Sequence, residues 1–141
     1  MDAGVAKLMP LLSSYGFSLA SSDTGSSSGG RFATATFSKE NFEIGLIVRF
    51  GSELGCPNYS EGHGYAGHGG LISAIDSDAQ PRLVPNGPIS YCAVDGGDPF
   101  DALMHDLERT ILPSLKNDSA AFRVSLARAH GRCQRQLKGG G

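Results

Sequence analysis

Apolar residues alternate most regularly near the end of the first third of the chain. Phe42, Ile44, Leu46, Val48 and Phe50 fall on one face of an extended segment, and Glu43, Gly45, Ile47 and Arg49 fall on the other. Residues 31–37, rich in Thr, Ala and Phe, precede this segment across the polar turn Ser38-Lys39-Glu40-Asn41. The two runs predict an antiparallel hairpin. The mixed second face suits a sheet packed under helices on one side and partly open on the other. Upstream, Val5, Leu8, Met9 and Leu12 recur at helical spacing and predict a helix over residues 5–15, with Pro10 inside it and Gly16 as its C-cap. Residues 17–22 read as a short strand. Residues 23–30 are a Gly/Ser run with almost nothing to bury and predict a flexible loop.

After residue 50 the alternation breaks. Residues 51–70 carry seven glycines and predict a long loop, of a length that is functional or disordered in most compact domains. Residues 71–75 form a helical turn or a strand, and residues 89–94 have the composition of a further strand. The clearest helix opens at Asp98, an N-cap, with Pro99 in the first helical position and Asp101 in the first turn. Phe100, Leu103, Met104, Leu107 and Ile111 line one face, and Pro113 predicts an end or a kink near Leu112. Ser119 then caps a last helix over residues 120–137. This order predicts an α+β domain over residues 1–138: a small antiparallel sheet of three to five strands, one N-terminal helix and two C-terminal helices. Residues 139–141, all glycine, read as a disordered tail.

Composition narrows the class. The chain has 141 residues, 40% of them apolar and 18% charged, which is enough for one modest core. No apolar run approaches the roughly 18 residues of a membrane helix, and no secretory signal opens the chain. The expectation is a soluble, cytoplasmic protein. Three cysteines without tight spacing argue against a disulfide framework. The net charge of −2 conceals an asymmetry: residues 1–118 hold 14 acids and 7 bases (7 − 14 = −7), whereas residues 119–141 hold 5 bases and no acid. Arg128, Arg132 and Arg135 form a basic stripe on the last helix, which could dock on a partner or pair with the acidic body. Nucleic acid is disfavoured as a partner, because the sequence pI is about 6.0 and no aromatic residues interleave the stripe.

Few residues invite chemistry. Cys56, His63 and His68 share the glycine-rich loop and are zinc-compatible ligands, although C-x6-H-x4-H matches no compact finger and lacks a fourth ligand. They define one alternative, a small zinc-dependent enzyme or zinc-binding protein. His130 and Cys133 share a helix face without an orienting third group. Gly25-Ser26-Ser27-Ser28-Gly29 satisfies G-x-S-x-G, but a strand follows it where a nucleophile elbow needs a helix. Asp98 and Asp101 are explained by capping. No catalytic residue emerges, and a non-enzymatic role is favoured. The other alternative is a structural or regulatory subunit docking through its basic C-terminal helix.

The layout of helix, strand and hairpin, with Phe32-Ala33-Thr34-Ala35-Thr36-Phe37 turning into a strand that ends Val48-Arg49, resembles small bacterial immunity-type proteins. These occur beside polymorphic or contact-dependent toxins. In the resemblance a loop follows the hairpin, and then a helical end with an acidic opening like Asp98-Pro99-Phe100. The likeness spans residues 5–115 as architecture. It implies a non-catalytic module that binds and occludes a cognate toxin, with Glu53, Tyr59, Glu61 and Tyr65 as contacts on the long loop. An acidic body would favour a basic toxin.

Overall fold

A computed structural model describes residues 2–27, 30–49, 53–62, 64–87 and 90–129. Helix α1 (Asp2–Ser14) is followed by three long strands, β1 (Ser18–Ser27), β2 (Gly30–Lys39) and β3 (Phe42–Arg49). Then come β4 (Glu53–Leu54), β5 (Asn58–Glu61), β6 (Gly64–Gly67) and helix α2 (His68–Ile75). Strands β7 (Leu83–Pro85) and β8 (Tyr91–Ala93) lead into α3 (Pro99–Asp106), a π-helical turn (Leu107–Ile111), α4 (Leu112–Asn117) and α5 (Ser119–Ala129).

The expectation of a three- to five-stranded sheet with one helix before it and two after is overturned. The described residues form an α+β fold whose antiparallel sheet has eight strands, with an additional helix, α2, in mid-chain. Two segments expected as loops account for most of the difference, one by lengthening a strand and one by adding three, and β7 lies in neither. The Gly/Ser run belongs mostly to β1, which pairs with β2 up to Ser27 opposite Gly30. The glycine-rich loop supplies β4, β5 and β6. In it, β5 and β6 close a tight hairpin whose turn begins at Gly62, at φ +61°.

The predicted hairpin is present as β2–β3, with Phe37 opposite Ile44 and Ala35 opposite Leu46. Beyond β3 the sheet forks. One end of β3 pairs with β4, which leads on to β8 and β7, and the other end pairs with β5 and then β6. Between the branches the chain bulges through Gly55, Cys56 and Pro57, all buried, and the Gly55 N–H donates to the Ile47 carbonyl at 2.8 Å. A Cβ on Gly55 would lie 2.6 Å from the Ile47 Cγ2 methyl, so the close approach requires glycine here.

The helices cover one face of the sheet. Phe37, Phe42, Ile44, Leu46, Val48 and Tyr59 are buried with Leu8, Leu12, Leu103, Leu107 and Phe122 from the helices, in one cluster. Phe42 is central, its ring 5.9 Å from that of Phe17 and 5.2 Å from that of Phe122. The alternate residues of β2, β3 and β5 face the other way, and none of them is buried.

Local chemistry sets the helix ends. Phe17 and Gly16 donate back to the Leu12 and Ser13 carbonyls, a Schellman closure of α1 with Gly16 at φ +90°. The Asp98 side chain caps α3 by accepting from the Phe100 N–H at 2.9 Å. The last helix is capped one residue earlier than expected, by Asp118, which accepts from the Ala121 N–H at 3.0 Å. Pro113 neither ends the helix nor leaves it α-helical. The preceding π turn, in which the Leu112 N–H donates to the Leu107 carbonyl, carries the rod past a residue that has no N–H to give.

Candidate functional site

Two features stand out: a polar chain inside the core and the uncovered face of the sheet. The first joins Tyr59 of β5, His68 at the start of α2 and Asp106 at the end of α3. The Tyr59 hydroxyl lies 2.7 Å from His68 Nδ1, and His68 Nε2 lies 2.8 Å from Asp106 Oδ2. The hydroxyl has a hydrogen to give and the carboxylate only lone pairs. The network therefore assigns the Nε2–H tautomer, with Tyr59 donating to Nδ1. Asp106 also accepts from the backbone N–H groups of Arg82 (2.8 Å, to Oδ1) and Leu83 (3.0 Å, to Oδ2). Burial pushes the Asp106 carboxyl up, but the hydrogen bonds from His68, Arg82 and Leu83 together outweigh it and hold the group below the ordinary carboxylate range. Burial pushes the Tyr59 phenol well above its usual value, and the nearby Asp106 charge adds to that.

A Tyr–His–Asp chain could in principle move protons. Here Tyr59 and His68 are fully buried and Asp106 is 3% exposed, and the chain meets the surface through the half-exposed His105 ring, whose Nδ1 lies 3.4 Å from Asp106 Oδ1. The described residues contain no buried side-chain N or O atom without a hydrogen-bond partner. The chain works as a staple. It fixes the β5–β6 branch of the fork, the start of β7 and the α3 rod to one another.

The second feature is ordered by the strand register. One row runs Glu53–Arg49–Phe32–Gly25 across β4, β3, β2 and β1, and the next runs Ile47–Thr34–Asp23. A further row runs Tyr65–Ser60–Glu43–Ser38. Small polar side chains thus surround Phe32, Ile47 and Tyr65, and three acids (Asp23, Glu43, Glu53) stand against one base, Arg49.

The contact residues expected on a loop have separate fates. Glu53 is exposed and Tyr65 half-buried, both on the open face. Tyr59 is in the core, a correction that follows from its phase: opposite Ile44 in the ladder, it must face the helices. Glu61 accepts from the Arg123 Nε–H of α5 at 2.7 Å, and burial is incomplete on both sides. This ion pair raises the Arg123 pKa. Of the zinc-compatible set, Cys56 is in a disulfide, although the cysteine count and spacing argue against a disulfide framework, and both ring nitrogens of His68 are engaged. Cys92 is a free thiol. Arg128 is exposed on α5. His63, His130, Arg132, Cys133 and Arg135 lie outside the described residues. Asp106 carries no sequence signal beyond its place in the acidic run Asp95, Asp98, Asp101 and Asp106, because on a helical wheel it reads as one more surface acid.

Set beside protein-family models, curated proteins and solved structures, the chain matches none. No helix among the described residues is long and apolar enough to cross a membrane.

Proposed function

We propose that this chain is a non-catalytic protein-binding module of the immunity type, which holds and occludes a basic protein partner on the open face of its sheet. The supporting observation is the one-sided cover: every helix packs on the face that carries Ile44, Leu46 and Tyr59. The other face keeps Phe32, Ile47 and Tyr65 accessible among small polar residues. Asp23, Glu43 and Glu53 give that face a negative balance, which would steer a basic partner and fix its orientation. The Tyr59–His68–Asp106 chain supports a structural rather than a catalytic use of the buried polar groups.

The test is co-expression with the product of the adjacent reading frame, followed by size-exclusion chromatography with light scattering. A one-to-one complex is expected. Reversing charge with Glu43→Lys plus Glu53→Lys should weaken it at least about tenfold in a salt-sensitive manner. Glu108→Lys, on the helical side, should leave it unchanged. No complex, or equal weakening by all these variants, would end this reading.

A cytoplasmic site of action belongs to the same proposal and has its own check. Disulfides persist in oxidising compartments and are reduced in the cytoplasm, so the Cys56 disulfide weighs against this site and the redox state in cells decides it. For a cytoplasmic site, acid-quenched cells treated with an alkylating reagent should yield Cys56 as a modified thiol. Recovery of Cys56 unmodified until reductant is added would move the protein to an oxidising compartment.

A further inference from the structure

Among the described residues the sheet has three outer edges, and two of them are blunted. Strand β6 has four residues, two of them glycine, and runs directly into α2. Strand β7 has three residues and ends in Pro85, which has no N–H to donate. The third edge, β1, is different. It is ten residues long, contains no proline and no lysine, and among the described residues pairs only with β2. Ser18 to Thr24 and Ser26 are all exposed. Its one irregularity, between Leu19 and Ser21, lies near its start and leaves 21–27 in regular register. Of the devices that keep a sheet edge from pairing, this segment carries just one, the charge of Asp23.

We propose that β1 pairs antiparallel with β1 of a second copy across a twofold axis at Thr24, joining two sheets into one of sixteen strands. The axis position follows from charge. With Thr24 opposite its own copy, Ser22 meets Ser26, and Asp23, the strand's one charged residue, meets Gly25, so no like charges oppose. Shifting the axis by one residue to Asp23 sets two carboxylates face to face, which is unfavourable. The pairing is isologous, and therefore closes at two copies. Seven residues of each copy lie in the pairing, and the alternate ones whose N–H and C=O point away from β2 satisfy one another. Thr24 also lines a groove of about 480 Å³ with Arg31, Ala33 and Val48, so the axis joins the two grooves. The open face at Glu43, Glu53 and Tyr65 lies away from this edge and remains available.

Sedimentation equilibrium of the full chain over a broad concentration range tests the proposal. A monomer–dimer equilibrium is expected. Ser22→Lys combined with Ser26→Lys places two like-charged pairs across the axis and should weaken association about tenfold, whereas Ser22→Lys with Ser26→Glu should restore or tighten it. Both positions are exposed, and unchanged far-ultraviolet circular dichroism would show that each variant folds. A chain that stays monomeric throughout, or a dimer that responds alike to the two double variants, would overturn the proposal.

Discussion

At the scale of single residues, Asp106 carries the largest consequence. Its carboxylate accepts from the buried His68 ring and Leu83 N–H and from the part-buried Arg82 N–H. Asp106→Asn keeps the shape but replaces one acceptor oxygen by a donor, leaving at least one buried N–H facing another. The expected loss is about 2–4 kcal/mol by denaturant titration. The sign with pH follows from linkage. The folded pKa lies below the ordinary 3.8, so the contribution is fully present above that value and is lost as pH falls through the folded one. The asparagine variant should therefore show a flatter acid limb. Tyr59→Phe leaves His68 Nδ1 buried without its donor and should cost about 1–3 kcal/mol. The phenol works in the opposite pH direction. Its folded pKa is raised, so the unfolded chain releases the proton first, and stability declines as pH rises above the ordinary value of 10.0. The phenylalanine variant should lack that decline.

Among elements, the β3–β4–β5 junction is the most exacting. At Gly55 an added Cβ would meet the Ile47 Cγ2 methyl at 2.6 Å and an Arg49 guanidinium nitrogen at 3.1 Å. The methyl sits on a branched, stiff side chain within a strand and cannot swing aside. Gly55→Ala should cost about 1–3 kcal/mol, and adding Ile47→Ala should recover much of it in a double-mutant cycle measured by thermal melts. The same junction shows what could be read from the chain and what could not. The β2–β3 hairpin was legible because its apolar residues alternate without interruption and its turn is polar. Helix α3 was legible because Asp98-Pro99 marks its start chemically. The strands β4, β5 and β6 were not, because their inward side chains are few (Leu54, Tyr59, Ala66) and the glycines between them mimic a loop. Tertiary pairing along β3 makes them strands. The open face was legible in part: the mixed phase of Glu43, Gly45, Ile47 and Arg49 announced it, while Asp23 and Tyr65 joined it only through registers that no local pattern fixes.

Across the molecule, the first helix and the last described helices converge on the same interior. Leu8 and Leu12 from α1 share one buried cluster with Leu103, Leu107 and Phe122 from the last third. Lys7 ties α1 to the start of α3, with Nζ at 2.8 Å from both Asp98 and Asp101, and the pairing raises its pKa and lowers that of Asp98. Those contacts are exposed and contribute little to stability. What couples the fork is interior: β5 through Tyr59, α2 through His68, and β7 through the Arg82 and Leu83 amides all end on one carboxylate. Neither branch can separate from the α3 rod without stranding a buried donor or acceptor, so partial opening is as unfavourable locally as it is in the apolar layer around it. Unfolding is accordingly expected in one transition, with the calorimetric enthalpy equal to the van't Hoff enthalpy. Asp106→Asn should do more than lower the midpoint. With the shared acceptor impaired, the β5–β6 and β7–β8 branches lose their common tether, and the calorimetric enthalpy should exceed the van't Hoff value. A variant that melts at lower temperature with the ratio still at unity would show that the apolar cluster alone supplies the cooperativity, and that the polar staple sets stability without setting the unit that unfolds.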